Sequence, residues 1–255
     1  MTTTARPLAL VTGASSGIGA EFARRYASEG FDLLLVARSE GALTALATQL
    51  ADAHGVAASV HPADLSDADA VAGLVGAIDR LPRIDHLVNS AGTAPAGDLH
   101  RMDAAEFRRM VDINVTALTL LTQAAIIRMR AAGSGTIINI ASSAGYQPIP
   151  HFSAYAASKA YVVSLTEALS EEQRPHGVRI VSVAPGDTDT PMNPGAARNK
   201  RQARDVVDTA WKVLPTTTPS VIDGRMNRAL AYLSSRVLTR RLSLRIAERM
   251  MRSKA

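Results

Sequence analysis

Thr12-Gly13-Ala14-Ser15-Ser16-Gly17-Ile18-Gly19 follows the apolar run Leu8-Ala9-Leu10-Val11 and precedes a helical pattern over 18–29. An unbroken apolar run of this length suits a strand covered on both faces. The turn behind it is rich in glycine, whose missing Cβ lets the backbone approach a pyrophosphate, and the helix start beyond it offers oriented N–H donors. The spacing is Gly-x-x-x-Gly-x-Gly and not the commoner dinucleotide fingerprint, but the physics is the same. Gly13, Ser15, Ser16, Gly17, Ile18 and Gly19 are therefore candidate phosphate-binding positions. A glycine turn between strand and helix can also form with no ligand.

Outward from that turn the pattern repeats. Leu33–Val36, Ala57–Val60, Leu87-Val88, Ile137–Ile140 and Ile180–Val183 are further apolar runs, and helical segments lie between them near 40–53, 67–79, 103–130 and 152–174. Alternating strands and helices imply an α/β fold: a doubly wound, mostly parallel sheet of Rossmann type with helices on both faces. Residues 1–224 are expected to form the dinucleotide-binding catalytic domain, with Ser220–Asp223 as an edge strand and 225–255 as a basic helical extension of the same domain. At 255 residues, 47% of them apolar and 20% charged, the chain suits one globular unit with a large core.

Ligands of such sheets bind beyond the carboxyl ends of the strands. Those ends carry Arg38, Asp64-Leu65, Asn89-Ser90-Ala91-Gly92, Ala141-Ser142-Ser143 and Pro185-Gly186-Asp187-Thr188-Asp189-Thr190. Each is compatible with turn chemistry alone, but turn chemistry does not require polar groups at the same end of six successive strands. Arg38 stands where an acid would accept bonds from a ribose; an arginine can clamp a 2′-phosphate instead, which favours NADP over NAD, unless it is merely solvated.

Two positions on helices stand out. Tyr155 and Lys159 are four residues apart and share a helix face, where an ammonium would favour the phenolate and bring the phenol's titration towards neutrality. Asn114 falls on an apolar stripe with Phe107, Met110, Val111, Leu118 and Leu121, so its amide must find buried partners, of which a neighbouring backbone group is one possibility.

Thr12–Gly19, Asn89–Gly92, Asn114, Ser142, Tyr155 with Lys159, and Pro185-Gly186 with Thr190 together resemble the short-chain dehydrogenase/reductase family, over about residues 8–192. The resemblance implies that Tyr155 is the general acid/base, that Lys159 binds the nicotinamide ribose and tunes the phenol, that Ser142 holds the substrate oxygen, and that Asn114 holds a water linking the lysine to solvent. It likewise implies a cofactor site of Gly13, Ser15, Ser16, Gly17, Ile18, Gly19, Arg38, Asp64, Leu65, Asn89, Ala91, Gly92, Tyr155, Lys159, Pro185, Gly186, Thr188 and Thr190, with Asp64-Leu65 at the adenine and Thr190 at the carboxamide. Ser90 and Thr188 depart from the usual pattern of the family. The expected activity is NADPH-dependent reduction of a ketone or aldehyde. The alternatives are an alcohol dehydrogenase working in the oxidative direction and a binding protein, nucleotide-sensing or membrane-associated, without turnover.

The substrate, a small carbonyl or alcohol compound, should meet Thr93, Ser143, Tyr146, Phe152 and Met192, with Pro148 and Ile149 adding apolar wall. His151 precedes Tyr155 by one turn and could touch substrate, although an exposed or capping role is the simpler expectation. The absence of cysteine excludes disulfides, thiolate–zinc sites and a thiol nucleophile, and no metal is expected. No signal peptide or run of bilayer-spanning length is evident, so the expected location is cytoplasmic.

The net charge of +5 is not evenly spread. Residues 225–255 hold nine basic residues against Glu248, a net +8, which leaves −3 for residues 1–224. Nothing in the body looks like a nucleic-acid surface. In the tail, Leu238, Leu242, Ile246 and Met250 form an i, i+4 stripe beside arginines. It could pack on the body or a second subunit, lie on a membrane surface, or simply be solvated. The family resemblance implies a homo-oligomer, dimer or tetramer, formed by pairing of the long helices; the tail points to a dimer.

Overall fold

The computed structural model describes residues 6–194 and 200–252. The strands in chain order are β1 (Leu8–Thr12), β2 (Asp32–Ala37), β3 (Ala58–Pro62), β4 (His86–Asn89), β5 (Gly135–Ile140), β6 (Val178–Ala184), β7 (Thr188–Asp189), β8 (Arg201–Gln202) and β9 (Ser220–Ile222). Seven of them form one sheet in the order β3-β2-β1-β4-β5-β6-β9, with every pairing parallel. The strand order reverses between β1 and β4, which opens the crevice where open α/β sheets bind ligands.

Apolar runs appear as strands here because they feed two cores. Successive residues point to opposite faces, so Ala9 and Val11 join one core while Leu10 joins the other. The first core is closed by α1 (Gly17–Ser28), α2 (Glu40–His54) and α7 (Ala203–Val213); the second by α3 (Ala68–Arg80) and α5 (Leu118–Ala132), which follows α4 (Ala104–Val111). A third cluster joins α6 (Ser153–Gln173) to the ends of β5 and β6 through Val162, Val163, Ala141 and Ala184. β3, expected as a covered strand, is the sheet edge and alternates between partial and full exposure.

Helix starts follow local chemistry at three sites. Ser39 accepts from the Ala42 N–H, Asp67 from those of Asp69 and Ala70, and Asp103 from that of Ala105. α1 differs: Ser16 makes no side-chain cap, and no acid stands in the first turn.

Three expectations need correction. The segment 103–130 is not one regular helix, because Asp112–Ala117 forms a wide π turn between α4 and α5. An inserted residue shifts the phase of any stripe counted through it, which is why Phe107 is exposed while Asn114 is fully buried. The run Ala104–Ala132 is also long and apolar enough to cross a bilayer, contrary to the expectation that none was; half of its most apolar stretch is buried inside the protein, as in a core helix. Finally, α7 has no counterpart among the expected helices. Its Val206, Val207, Ala210 and Val213 are buried, and Trp211 packs 4.9 Å from the Tyr26 ring.

The tail forms α8 (Arg225–Tyr232), a π turn to Val237 and α9 (Arg240–Arg252). α9 rests on the body through buried Ser243 and half-buried Leu244, Ala247 and Glu248. Of the three readings of the tail stripe, packing on the body is not realised at Leu242, Ile246 and Met250, which are exposed. Lys254 lies outside the described residues.

Candidate active site

Because the strands of the sheet all run the same way, the polar groups that end β1 to β6 share one edge. The β1 turn is pressed against the end of β4: Thr12 Oγ1 accepts the N–H groups of Ser90 and Ala91, both at 3.1 Å. Gly13 (φ +67°) sits so close that a Cβ would lie 2.8 Å from the Ala91 nitrogen, and a Cβ on Gly19 would lie 2.2 Å from the Gly13 oxygen. Gly17 (φ +55°) faces Thr190. The contacts at Gly13 and Gly19 admit glycine only, and at Gly17 it is the positive φ that favours it. Ser15, Ser16 and Ile18 complete the turn, and Ser16 leads directly into the uncapped start of α1. The first-turn N–H groups there are left without a side-chain acceptor, and the turn lacks the carboxylate that would repel an anion. That concave, donor-lined, glycine-walled turn fits a dinucleotide pyrophosphate.

Arg38 follows β2 and is exposed, and it makes no hydrogen bond or ion pair among the described residues. The Asp64 carboxylate is turned to Arg109 on α4, with both oxygens 3.0–3.1 Å from Nη2, and it also accepts from Ser66. Partial burial alone would raise that carboxyl, but the Ser66 and Arg109 hydrogen bonds and the guanidinium charge outweigh it and hold it at about 2. Leu65 beside it is buried. The Asn89 side chain is internal: its Nδ2 donates to Thr122 and Asn139, stitching β4 to α5 and β5. The amide nitrogen is thus committed inside the protein, while the buried Oδ1 has no partner among the described residues, and Ala91 lines the turn at Gly13.

Asn114 clasps the loop after β4. Its Oδ1 accepts from the Thr93 N–H at 3.0 Å, and its Nδ2 donates to the Thr93 carbonyl at 2.9 Å and to Ser158 Oγ at 3.2 Å. Of the alternatives raised by sequence, backbone binding is realised. The same Oδ1 stands 3.2 Å from where a Gly92 Cβ would be, with Lys159 Nζ at 3.7 Å.

Tyr155 and Lys159 do share one face of α6. The Ser142 hydroxyl stands beside the Tyr155 phenol, and Phe152 packs on the phenol ring with centroids 4.5 Å apart. Ser142 also accepts from the Ala144 N–H and lies near the Pro185 carbonyl, so the turns after β5 and β6 orient it together. Lys159, 5% exposed, donates to the Ile140 carbonyl at 2.9 Å, with Nζ 5.8 Å from the Tyr155 ring centroid. Burial lowers the ammonium to about 8. The phenol does not follow the expected direction: burial raises it, and the Ser142 hydroxyl beside it only partly offsets that. At this distance, with its proton committed to a carbonyl, the lysine leaves the phenol's titration to desolvation.

The loop after β6 is anchored from behind. Thr188 is buried with its hydroxyl on the Gly186 carbonyl, and Gly186 abuts the Asn227 amide so tightly that a Cβ would meet it at 2.2 Å. Asn227 is tied to the Asp223 carbonyl at 2.8 Å, while the fully buried Asp223 carboxylate takes Arg201 and the Thr209 hydroxyl. Arg109, Arg201, Asp223 and Asn227 were not singled out from sequence. A carboxylate directly after an apolar run, as at Asp223, was the one local hint.

The expected substrate wall divides. Phe152 packs on the Tyr155 ring, Ser143 follows Ser142 with its N–H on the Pro185 carbonyl, Thr93 is held by Asn114, and Met192 is exposed just past Thr190, with 195–199 outside the described residues. Tyr146 faces the other way: it packs on the α6 cluster with its hydroxyl towards Ser220 and Ser182. With Pro148, Ile149, Leu238 and Leu244 it lines a cavity of about 650 Å³ that contains neither Tyr155 nor Ser142. Its wall belongs to the far side of α6 because the 3₁₀ turn Ser143–Tyr146 brings the ring round behind the helix. His151 is neither free nor a cap. It holds φ +60°, its carbonyl accepts from the Gly97 N–H, and its imidazole pairs with Asp98 and approaches Glu248 of α9 at 3.9 Å.

Comparison with known proteins agrees with this fold. A family model described as short chain dehydrogenase matches residues 7–201. A cis-4-hydroxycyclohexanecarboxylate dehydrogenase of Sinomonas cyclohexanicum is 39% identical over 199 residues, covering 77% of this chain and 79% of that protein. The structure of a short-chain dehydrogenase from Sphingobium yanoikuyae in complex with NADPH superposes with a TM-score of 0.81 at 36% identity, covering 85% of this chain and 87% of that one. A bulky-bulky ketone specific alcohol dehydrogenase from Comamonas testosteroni gives a TM-score of 0.82 at 30% identity over 99% and 96% of the two chains.

Proposed function

Since the chain belongs to the short-chain dehydrogenase/reductase family, oxidoreductases that act on alcohol and ketone groups with a nicotinamide cofactor, we propose that it uses NADPH to reduce a ketone or aldehyde, with Tyr155 as general acid. The observation that carries this reading is that the Ser142 hydroxyl stands beside the Tyr155 phenol, near enough to pull its titration down against burial, at the strand edge that also bears the glycine turn.

The residues present fit the cofactor. Gly13, Gly17, Gly19 and the open start of α1 would take the pyrophosphate, Arg38 the 2′-phosphate, Leu65 and the Asp64 backbone the adenine side, and Thr188 and Thr190 the nicotinamide end. When bound, NADPH supplies the hydride that the carbonyl carbon accepts. Ser142 and Tyr155 hold the substrate oxygen as donors aimed at the charge that develops there. The elevated phenol keeps its proton at neutral pH, so Tyr155 is loaded as an acid and gives that proton to the forming alkoxide. Lys159, at about 8, stands close enough to neutrality to give up and regain a proton, with Asn114 beside it at Gly92.

Arg38 and the NADPH-bound relative support reduction over oxidation. The test is consumption of NADPH, with NADH as comparison, across ketones, aldehydes and acyl-thioester ketones. Turnover of at least one class with NADPH preferred is expected; inertness to every class, with the cofactor bound, would favour the nucleotide-binding protein instead.

A further inference from the structure

Helices α8 and α9 present to solvent a surface that neither the fold nor the proposed reaction uses. Past the sheet, Met226 is 72% and Leu230 56% exposed, and on α9 Leu242 and Ile246, one turn apart, are 45% and 42% exposed. Arg241, Arg245 and Arg249 repeat at the same interval in the neighbouring row, also exposed. The remaining side of α9, with Ser243 and Leu244, rests against the body. The helix therefore has one face on the protein, one apolar face in water and one cationic face.

We infer that this surface docks on an anionic lipid bilayer, with α9 lying in the headgroup plane. Charge selects the occupant. Residues 225–255 carry nine basic residues and a single acid, Glu248, which is itself engaged by Arg252 and His151. A second copy laid on this face would set arginines against arginines with no acids between them. At a bilayer the apolar row reaches the acyl boundary while the guanidinium groups stay among the phosphates, their stems lying along the interface. Each arginine near an anionic surface strengthens partitioning by about fivefold, and salt screens that share.

The test is flotation of the full chain with phosphatidylcholine vesicles, with and without phosphatidylglycerol, at low and high salt. Binding to the anionic vesicles alone, released by salt, is expected. Ile246→Glu, and separately the pair Arg241→Glu and Arg245→Glu, should each lower the bound fraction about tenfold or more without moving the melting temperature, since all three positions are exposed. Absence of flotation with phosphatidylglycerol overturns the proposal. So does undiminished binding of Ile246→Glu, which would mean adsorption of arginines without an apolar contact. Binding to soluble polyglutamate as tight as to vesicles would point to an acidic protein partner. A self-associated species in sedimentation velocity that Ile246→Glu splits, without vesicle binding, would make the face an interface between copies.

Discussion

Helices α6 and α9 break the rule of apolar inside and polar outside in opposite directions. α6 buries Ser158, Lys159, Thr166, Ser170 and Gln173, while α9 keeps Leu242 and Ile246 in water. Burying an ammonium costs free energy unless something compensates, and here one carbonyl, that of Ile140, takes the proton. Such a cost persists where a charge is needed at a fixed point beside reacting atoms. Exposed apolar rows cost little in the monomer, so they tell nothing about stability and point to what the surface meets. Misplaced polarity on α6 therefore belongs to a preorganised cleft, and misplaced apolarity on α9 to an encounter outside the protein.

The contrast predicts large effects on α6 and small ones on α9. Removing the phenol hydroxyl, Tyr155→Phe, should cut kcat by about 10²–10⁴-fold while NADPH affinity, followed by fluorescence titration, stays nearly constant. Retained turnover would break the assignment of α6 as the reacting helix. Arg38→Asp should weaken NADPH by about 10–100-fold and favour NADH, with stability unchanged; an unaltered preference would show the guanidinium idle.

Lys159→Met probes the buried charge through pH. The folded-state pKa of about 8 lies below the usual lysine value, so between about 8 and 10.5 the unfolded chain holds a proton that the folded chain has released. Stability must then rise with pH across that window, by about 1.4 kcal/mol per unit of difference, so about 3–4 kcal/mol in all. Denaturant titrations from pH 7.5 to 10.5 should show this rise in the wild type, of that order, and its loss in Lys159→Met, which should also be the more stable protein at pH 7.5. Asn114→Ala should cost about 1–3 kcal/mol in the same assay, because the buried Thr93 N–H and carbonyl lose their partner. On α9, Leu242→Ser should change stability by no more than about 0.5 kcal/mol. A large loss there would mean the row is packed, and the contrast between the two helices would fall.

Much of the cleft was legible in advance, for a reason that is itself physical. Tyr155 and Lys159 are tied by helix periodicity, and Gly13, Gly17 and Gly19 by a turn that needs close approach at the first and last and a positive φ at Gly17, so their spacing along the chain nearly dictates their placement. Asn114 was recognisable as an amide on an apolar stripe. Its partner Thr93 was not, since the clasp spans 21 residues and depends on a π turn that no period reveals. Tyr146 misled for a similar reason: nearness in sequence to Ser142 and Tyr155 says nothing of which side of α6 the ring takes.

By itself the sequence determined the alternation of strands and helices, the glycine turn, the tyrosine–lysine spacing and the charge divide at residue 225, because each is a local pattern governed by backbone sterics, periodicity or simple counting. Only the tertiary structure decided that the phenol meets Ser142, that Lys159 is turned to Ile140 and sits near 8, that Asp64 is taken by Arg109, that Asp223, Arg201 and Asn227 brace the last loop, and that the α9 stripe faces water. These depend on which distant groups burial brings together, and desolvation and pairing energies exist only once the chain has closed around them.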